Sequence, residues 1–317
     1  MSGIRTGTLL FVFALLAAAT PAHALDKMRV GKPEATGFAF ALLDVGMAAG
    51  IFAQNGLEIE SLDLAGAGKS HQALVAGSVD IELGSGVEFV FIAKGSPTKG
   101  IAVMAGPPLS MSIIVRADGD IAKVADLKGK RIGVTTVGSL TDWLARQLAV
   151  SQGWGPDGVL PTSVGNMDGQ TAALMAKNVD AVVGPTERGY PMEAAGRGKV
   201  LVTFGKAVPD FIIHMILATD TTLKNEPDKV RRFLKAWFET VAYVKSHKAE
   251  TIKYSAEATR MPPDIASKVY DEQMPMFSLT GRFDPKAVAV IKQSLLDMGA
   301  VTAVPDDSKL YTEEFLP

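Results

Sequence analysis

Between Lys27 and about Phe204 the chain alternates strand-like and helix-like segments, and this alternation constrains the fold more than any other feature. "KMRVGKP" (27–33) is a short strand running into a loop. "GFAFALLDVGMAAGIFAQNG" (37–56) has apolar residues at helical spacing and stops at Asn55-Gly56, a helix C-terminal signal. "LEIESLDL" (57–64) alternates apolar and polar residues as a half-buried strand does. A Gly-rich turn and short helix follow in "GAGKSHQALVAGSV" (66–79), then a strand in "DIELGSG" (80–86), a helix in "VEFVFIAKG" (87–95) and a strand in "IAVMAGPP" (101–108). Parallel strands need long crossovers, usually helices, so steady alternation of this kind implies βαβ units around a largely parallel sheet.

The pattern then restarts. "SMSIIVRAD" (110–118) is a further strand and "VADLKGK" (124–130) a short helix or turn. Strand and helix alternate again through "RIGVTTVG", "SLTDWLARQLAVSQGW", "TSVGN", "MDGQTAALMAKN", "VDAVVGP", "TERGYPMEAAGRG" and "KVLVTFG", which ends at Gly205. "DFIIHMILATD" (210–220) reads as a long apolar strand, and beyond Pro227 the chain is helical, broken at "RMPPD" and "GRFDP". Two α/β units thus span about 27–110 and 120–210, with strand-like segments at the joins. The expectation is α/β: two lobes, each a mixed, mostly parallel sheet flanked by helices, joined by two crossovers. Lobe one is placed at 26–115 plus 216–317, lobe two at 116–215, and the C-terminal helices are expected to pack back on lobe one. The 317 residues, 47% of them hydrophobic, suffice for two cores. The halves also rhyme: "HQALVAGSVDIELGSG" and "QTAALMAKNVDAVVGP" each run helix, small turn, Val-Asp, buried strand.

The N-terminus reads as a targeting segment. Arg5 gives a short positive region, "LLFVFALLAAA" (9–19) an apolar core too short to span a bilayer comfortably, and Ala22-His23-Ala24 a small-x-small cleavage site. Cleavage after Ala24 would release a periplasmic protein; retention as an anchor is the alternative. The absence of cysteine excludes disulfides, thiolate metal sites, a cysteine nucleophile and a lipidated N-terminal cysteine. The net charge of −2 and the lack of a basic run argue against a nucleic-acid partner.

Three blocks carry a family resemblance. "GIFAQNGLEIE" (50–60), "GAGKSHQALVAGSVDIELGSG" (66–86) and "LKGKRIGVTTVGS" (127–139) resemble the hallmarks of periplasmic solute-binding proteins of ABC importers of the nitrate/sulfonate/taurine group. The resemblance implies the type II periplasmic binding protein fold and a monomer that closes its lobes on a small solute for a membrane permease, without cofactor or catalysis. The solute classes implied are sulfonate, carboxylate, nitrate or a nitrogen-containing organic compound. The same group is similar to a thiamine-pyrimidine synthase, the alternative function. That enzyme uses a cysteine-rich iron motif, and this chain has no cysteine.

Ligands of open α/β sheets bind beyond the carboxyl ends of strands, which nominates the strand-end turns. Thr135 to Ser139 ends a strand and opens a helix, and Ser139-Leu-Thr-Asp142 fits a capping box. Two readings stand: a plain helix cap, or a site where free amides, Gly138 and the Thr136 and Ser139 hydroxyls hold an anion. Opposite it the candidates are Thr36, Gly37 and Phe38, with Phe38 or Phe40 as an apolar wall or core; Gly68 and Lys69, in a turn too short for a nucleotide-binding P-loop; and Ser85 and Gly86. Thr186 and Glu187 form the matching strand end in the second half. Glu88 and Glu187 read as solvated unless they face the cleft. His214 is a structural histidine or a ligand contact from the hinge, and His71 a surface or capping residue, with no second ligand at metal-binding spacing. No catalytic or metal-binding residue is expected, and no Ser-His-Asp set or G-x-S-x-G elbow is present.

Overall fold

The computed structural model describes residues 24–34, 36–64 and 66–317. The segment read as a targeting signal therefore lies, apart from Ala24, outside the described residues. No helix among those described is long and apolar enough to cross a membrane.

Among the described residues ten strands form two sheets: β1 (Asp26–Lys32), β2 (Leu57–Asp63), β3 (Ile81–Ser85), β4 (Thr98–Ala105), β5 (Met111–Arg116), β6 (Arg131–Val134), β7 (Leu160–Ser163), β8 (Ala181–Pro185), β9 (Gly198–Thr203) and β10 (His214–Thr219). The first sheet has the order β2-β1-β3-β10-β4 and the second β7-β6-β8-β5-β9. In each, the central strand of the βαβ units pairs parallel with two neighbours, β1 with β2 and β3, β6 with β7 and β8. Each sheet also has one strand that is antiparallel to both its neighbours, β10 in the first and β5 in the second. The expected mixed sheets flanked by helices are present.

These two antiparallel strands are the ones that follow the crossings. The chain leaves the first sheet after β4, enters the second at β5, leaves it after β9 and returns at β10. The divisions at 115/116 and 215/216 expected from sequence therefore fall inside β5 and β10; the sheets divide the chain at 105–111 and 203–214. The apolar run 210–219 looked like one strand but pairs only from His214. Phe211, Ile212 and Ile213 are buried in the crossing instead, where the Ile213 amide is shared between the Ala105 and Gly106 carbonyls at 3.1 and 3.0 Å.

The Val-Asp rhyme has a structural cause. Val79 and Val179 are buried, and the aspartate after each accepts the amide of an arginine in the neighbouring parallel strand: Arg29 to Asp80 at 2.8 Å, Arg131 to Asp180 at 2.9 Å. Each aspartate also takes its arginine's guanidinium. The turn before each Val-Asp needs a left-handed residue, supplied by Gly77 (φ 71°) in one lobe and by Lys177 (φ 62°) in the other.

Beyond β10 the chain packs onto the first sheet's helices. Helix Pro227–Ser246 lies against helix Phe38–Ala48, with Phe233 stacked on Phe52 at 5.6 Å and Trp237 fully buried. The approach is close enough that a Cβ on Gly46 would sit 2.4 Å from Thr240 Oγ1, so glycine is needed there for space.

Candidate functional site

The helix start at Ser139 is filled by the protein itself. Ser139 Oγ accepts the Asp142 amide at 3.4 Å, as a cap should. Asp142 in turn accepts the Gly138 amide at 2.7 Å and pairs with Arg146 at 2.9 Å. The Val137 amide donates to Ser163 Oγ and the Thr135 amide to Thr141 Oγ1, both at 2.9 Å, and the Ser139 amide donates to the Thr136 carbonyl. Five amides of the segment are thus engaged by the protein's own groups, which fits the cap reading. Thr136 and Gly138 are exposed on the loop, while the Ser139 hydroxyl joins a net with Thr135 and Thr141. Ser139→Ala is expected to lower unfolding free energy by about 1 kcal/mol in urea titration and to leave ligand affinity unchanged.

A carboxylate at a helix start does occur, at a different helix. Gly37 is the N-cap of helix Phe38–Ala48, and the Phe38 amide donates to Glu187 Oε1 at 3.3 Å. Glu187 belongs to helix Thr186–Ala194, which leaves β8 in the second lobe. The bond thus joins the strand-end turns of both lobes and places a carboxylate on the positive end of the first lobe's helix. The expectation that Glu187 is solvated is overturned: it is 9% exposed. Burial, with the carboxylate of Glu34 close by, pushes its carboxyl up to about 7, against the opposing pull of its own amide, Gln273 and the Phe38 amide.

Other candidates gather around the same helix start. β10 pairs with β3 so that His214 stands opposite Ser85, and the Phe40 ring meets the His214 ring edge-on at 4.8 Å. Burial pulls His214 down to about 4, so it is neutral at physiological pH. Gly86 lies where a Cβ would come within 2.2 Å of the Ile212 carbonyl oxygen, so its role is close passage of the crossing chain. Thr186 holds the other crossing: its amide donates to the Ser110 carbonyl at 2.9 Å and its hydroxyl to the Leu109 carbonyl at 3.2 Å. Phe38 is fully buried, its ring edge-on to Tyr270 and Phe277, so it packs as core rather than as a wall. Thr36, Gly68 and Lys69 are exposed, and Lys69 makes no ion pair among the described residues.

Near the crossings Ser110 Oγ and His214 Nδ1 are enclosed with no hydrogen-bond partner among the described residues, while the enclosed Gln273 amide lies beside the Glu187 carboxyl and helps to hold its charge. Buried polar atoms are normally paired, and unpaired ones at a strand-end cleft mark where a ligand can bond. Sequence reading missed Ser110 and Gln273. Ser110 stands at the join of the two units, which was a usable signal; Gln273, late in a C-terminal helix, offered none. More cross-lobe bonds come from that C-terminal section: Tyr190 donates to Glu272, Lys268 pairs with Glu193 at 2.8 Å, and Trp143 Nε1 donates to Asp297 at 3.1 Å.

A family model described as "NMT1/THI5 like" matches residues 38–251, well over half of the chain. The chain belongs to this family. A comparison with curated proteins returns no match. Among solved structures, the chain is similar to the periplasmic aliphatic sulphonate binding protein SsuA of Escherichia coli (19% identity, TM-score 0.74, covering 90% of this chain and 92% of that one). It is also similar to the alkanesulfonate-binding protein SsuA of Xanthomonas axonopodis pv. citri, bound to MOPS (17% identity, TM-score 0.71, 93% and 99%). The desulfurization enzyme DSZB shares the architecture as well (18% identity, TM-score 0.65, 92% and 97%). At these identities the likeness establishes the periplasmic binding protein fold for this family member.

His71 and Glu88 require a further correction. Neither is on the surface: both are buried with Glu82 of β3, and Glu88 accepts the Ser85 amide at the end of that strand.

Proposed function

We propose that this family member captures a small solute between its lobes and delivers it to the membrane permease of an ABC importer, acting in the periplasm after removal of its N-terminal segment. The observation that carries the reading is the Glu187 bridge to the Phe38 amide, which ties the two lobes beside enclosed, unpartnered polar atoms. A site whose contacts come from both lobes is complete only when the lobes are closed, so a ligand there shifts the population toward closure. The resemblance to sulfonate-binding proteins supports transport, and DSZB shows that the fold also carries enzymes. Binding without turnover is the reading adopted, with the chain acting as a monomer.

Within the solute classes expected, the site favours a nitrogen-containing organic compound that donates hydrogen bonds. The buried Glu187 carboxyl, about half ionised near pH 7, repels an anion and can accept from a donor, and the neutral His214 offers no positive charge to an anion. Lys32, the basic residue at the end of β1, is held by Asp44 at 2.9 Å and Asp63 at 3.4 Å. The test is a thermal-shift panel of sulfonates, carboxylates, nitrate, amidines and pyrimidines on the purified chain, followed by recovery of the compound. Stabilisation that grows with ligand concentration and returns the compound unchanged is expected. Conversion of a compound refutes the binding reading, and stabilisation by sulfonates alone refutes the preference for a donor-bearing ligand.

A further inference from the structure

The first lobe holds a second cluster of ionisable groups, under β3 and the turn that follows it. Glu82 and Gly84 alternate onto the same face of β3. Glu88, just past the strand, folds back over Gly84, and a Cβ on that glycine would sit 2.2 Å from Glu88 Oε2. Glycine at 84 is what leaves space for the carboxyl. Helix Ala67–Val75 lies over β3 and brings His71 Nδ1 to 3.0 Å from Glu82 Oε2. All three residues are deeply buried: His71 is 5%, Glu82 0% and Glu88 1% exposed.

Two carboxyl oxygens in this enclosure, Glu82 Oε1 and Glu88 Oε2, have no donor among the described residues; the two carboxyls lie within hydrogen-bond reach of each other, and neither meets a lysine or arginine among those residues. Two carboxylates out of water need a compensating positive charge or a proton. One donor atom from each of His71, Glu82 and Glu88 lies within 4.8 Å of the others. That is the spread allowed to donors bound at roughly 2.0–2.4 Å from a single ion.

The outer partners are those of a ligating histidine. His71 Nε2 bonds Ser96 Oγ at 2.8 Å, which itself accepts Thr98 Oγ1 at 3.1 Å, and the ring stacks on Phe91 at 4.5 Å. These contacts fix the imidazole with Nδ1 directed at the carboxylates. Glu88 Oε1 accepts the Ser85 amide at 3.1 Å, which orients the second carboxylate. Imidazole and carboxylate donors suit first-row divalent ions.

We propose that His71, Glu82 and Glu88 form a buried site for one first-row divalent cation, Zn²⁺ or Mn²⁺, that braces β3 against the helix above it. The ion neutralises both carboxylates in place. The test measures metal content of the purified full chain by mass spectrometry before and after EDTA, together with thermal melts on adding Zn²⁺ or Mn²⁺ alone. The expected result is close to one equivalent bound after loading and dialysis, a melting temperature several degrees lower after chelation, and recovery when the ion returns. Glu88→Gln keeps the shape and the Ser85 bond, and is expected to fold while losing both the bound ion and the response. A wild-type chain that holds no stoichiometric ion, and whose melting ignores EDTA and added metal, overturns the proposal; the carboxyls then share a proton. Equal retention by wild type and Glu88→Gln overturns it too.

Discussion

At pH 8 the Glu187→Gln variant is expected to be more stable than the wild type, and at pH 4.5 the two should be nearly equal. Glu187 has a folded pKa of about 7 against an ordinary 4.5. Its carboxyl favours folding fully only while protonated in both states, below 4.5, and that contribution is lost as pH rises through 7. The difference corresponds to about 3 kcal/mol, which the amide escapes because glutamine stays neutral and keeps an acceptor for the Phe38 amide. His214 acts in the opposite direction. Its pKa falls from 6.5 to about 4, so its contribution is present above 6.5 and lost as pH falls through 4. In the wild type the two trends oppose one another between about 4.5 and 6.5. In the variant only the histidine trend remains, so stability should climb with pH over that interval. Urea titrations of both proteins at pH 4.5, 6 and 8 provide the check; a constant difference across the three would refute the assignment of Glu187 as a buried, proton-binding carboxyl.

Phe38→Ala should cost about 3–5 kcal/mol of stability, the usual loss for a large aromatic removed from a packed core. The ring is fully buried between Tyr270 at 6.4 Å and Phe277 at 6.2 Å, so its removal leaves a cavity where the first helix meets the C-terminal section. The same change disturbs the helix start that Glu187 caps, so the bridge between lobes should weaken with it. Chemical denaturation measures the first effect. A variant that keeps its stability to within about 1 kcal/mol yet loses ligand would restore Phe38 as a wall of the binding site.

Much of the fold was legible because it rests on local periodicity. The alternation of strand and helix located both sheets, and the repeated Val-Asp pairs marked equivalent places in the two lobes. Those aspartates, Asp80 and Asp180, turn out to hold strands together rather than to bind anything. The candidate site was legible only in part. Glu187, His214, Ser85 and Gly86 do lie at strand ends around one helix start. Which helix start receives a carboxylate depends on how two separate sheets face each other, and no spacing within "TTVGSLTD" or "GFAF" encodes that. Glu272 and Lys268 were invisible for the same reason, since their partners Tyr190 and Glu193 lie more than 70 residues away, and Gln273 meets Glu187 only across the two lobes. His71 was misjudged because its carboxylates come from a strand and a turn 11 and 17 positions later, which no helix-spacing rule relates.

The placement of β10 sets the order in which the molecule can be assembled. Its six residues sit between β3 and β4, and both of those strands precede it by more than 100 positions. Until residue 219 has been synthesised, the first sheet has no strand to join its two parts. β4 then has no neighbour in its sheet, while the second sheet already owns all five of its strands by Thr203. Closing so long a loop is entropically costly and slow. The second lobe can therefore reach its native pairing while the first still waits for a late strand to enter the middle of its sheet.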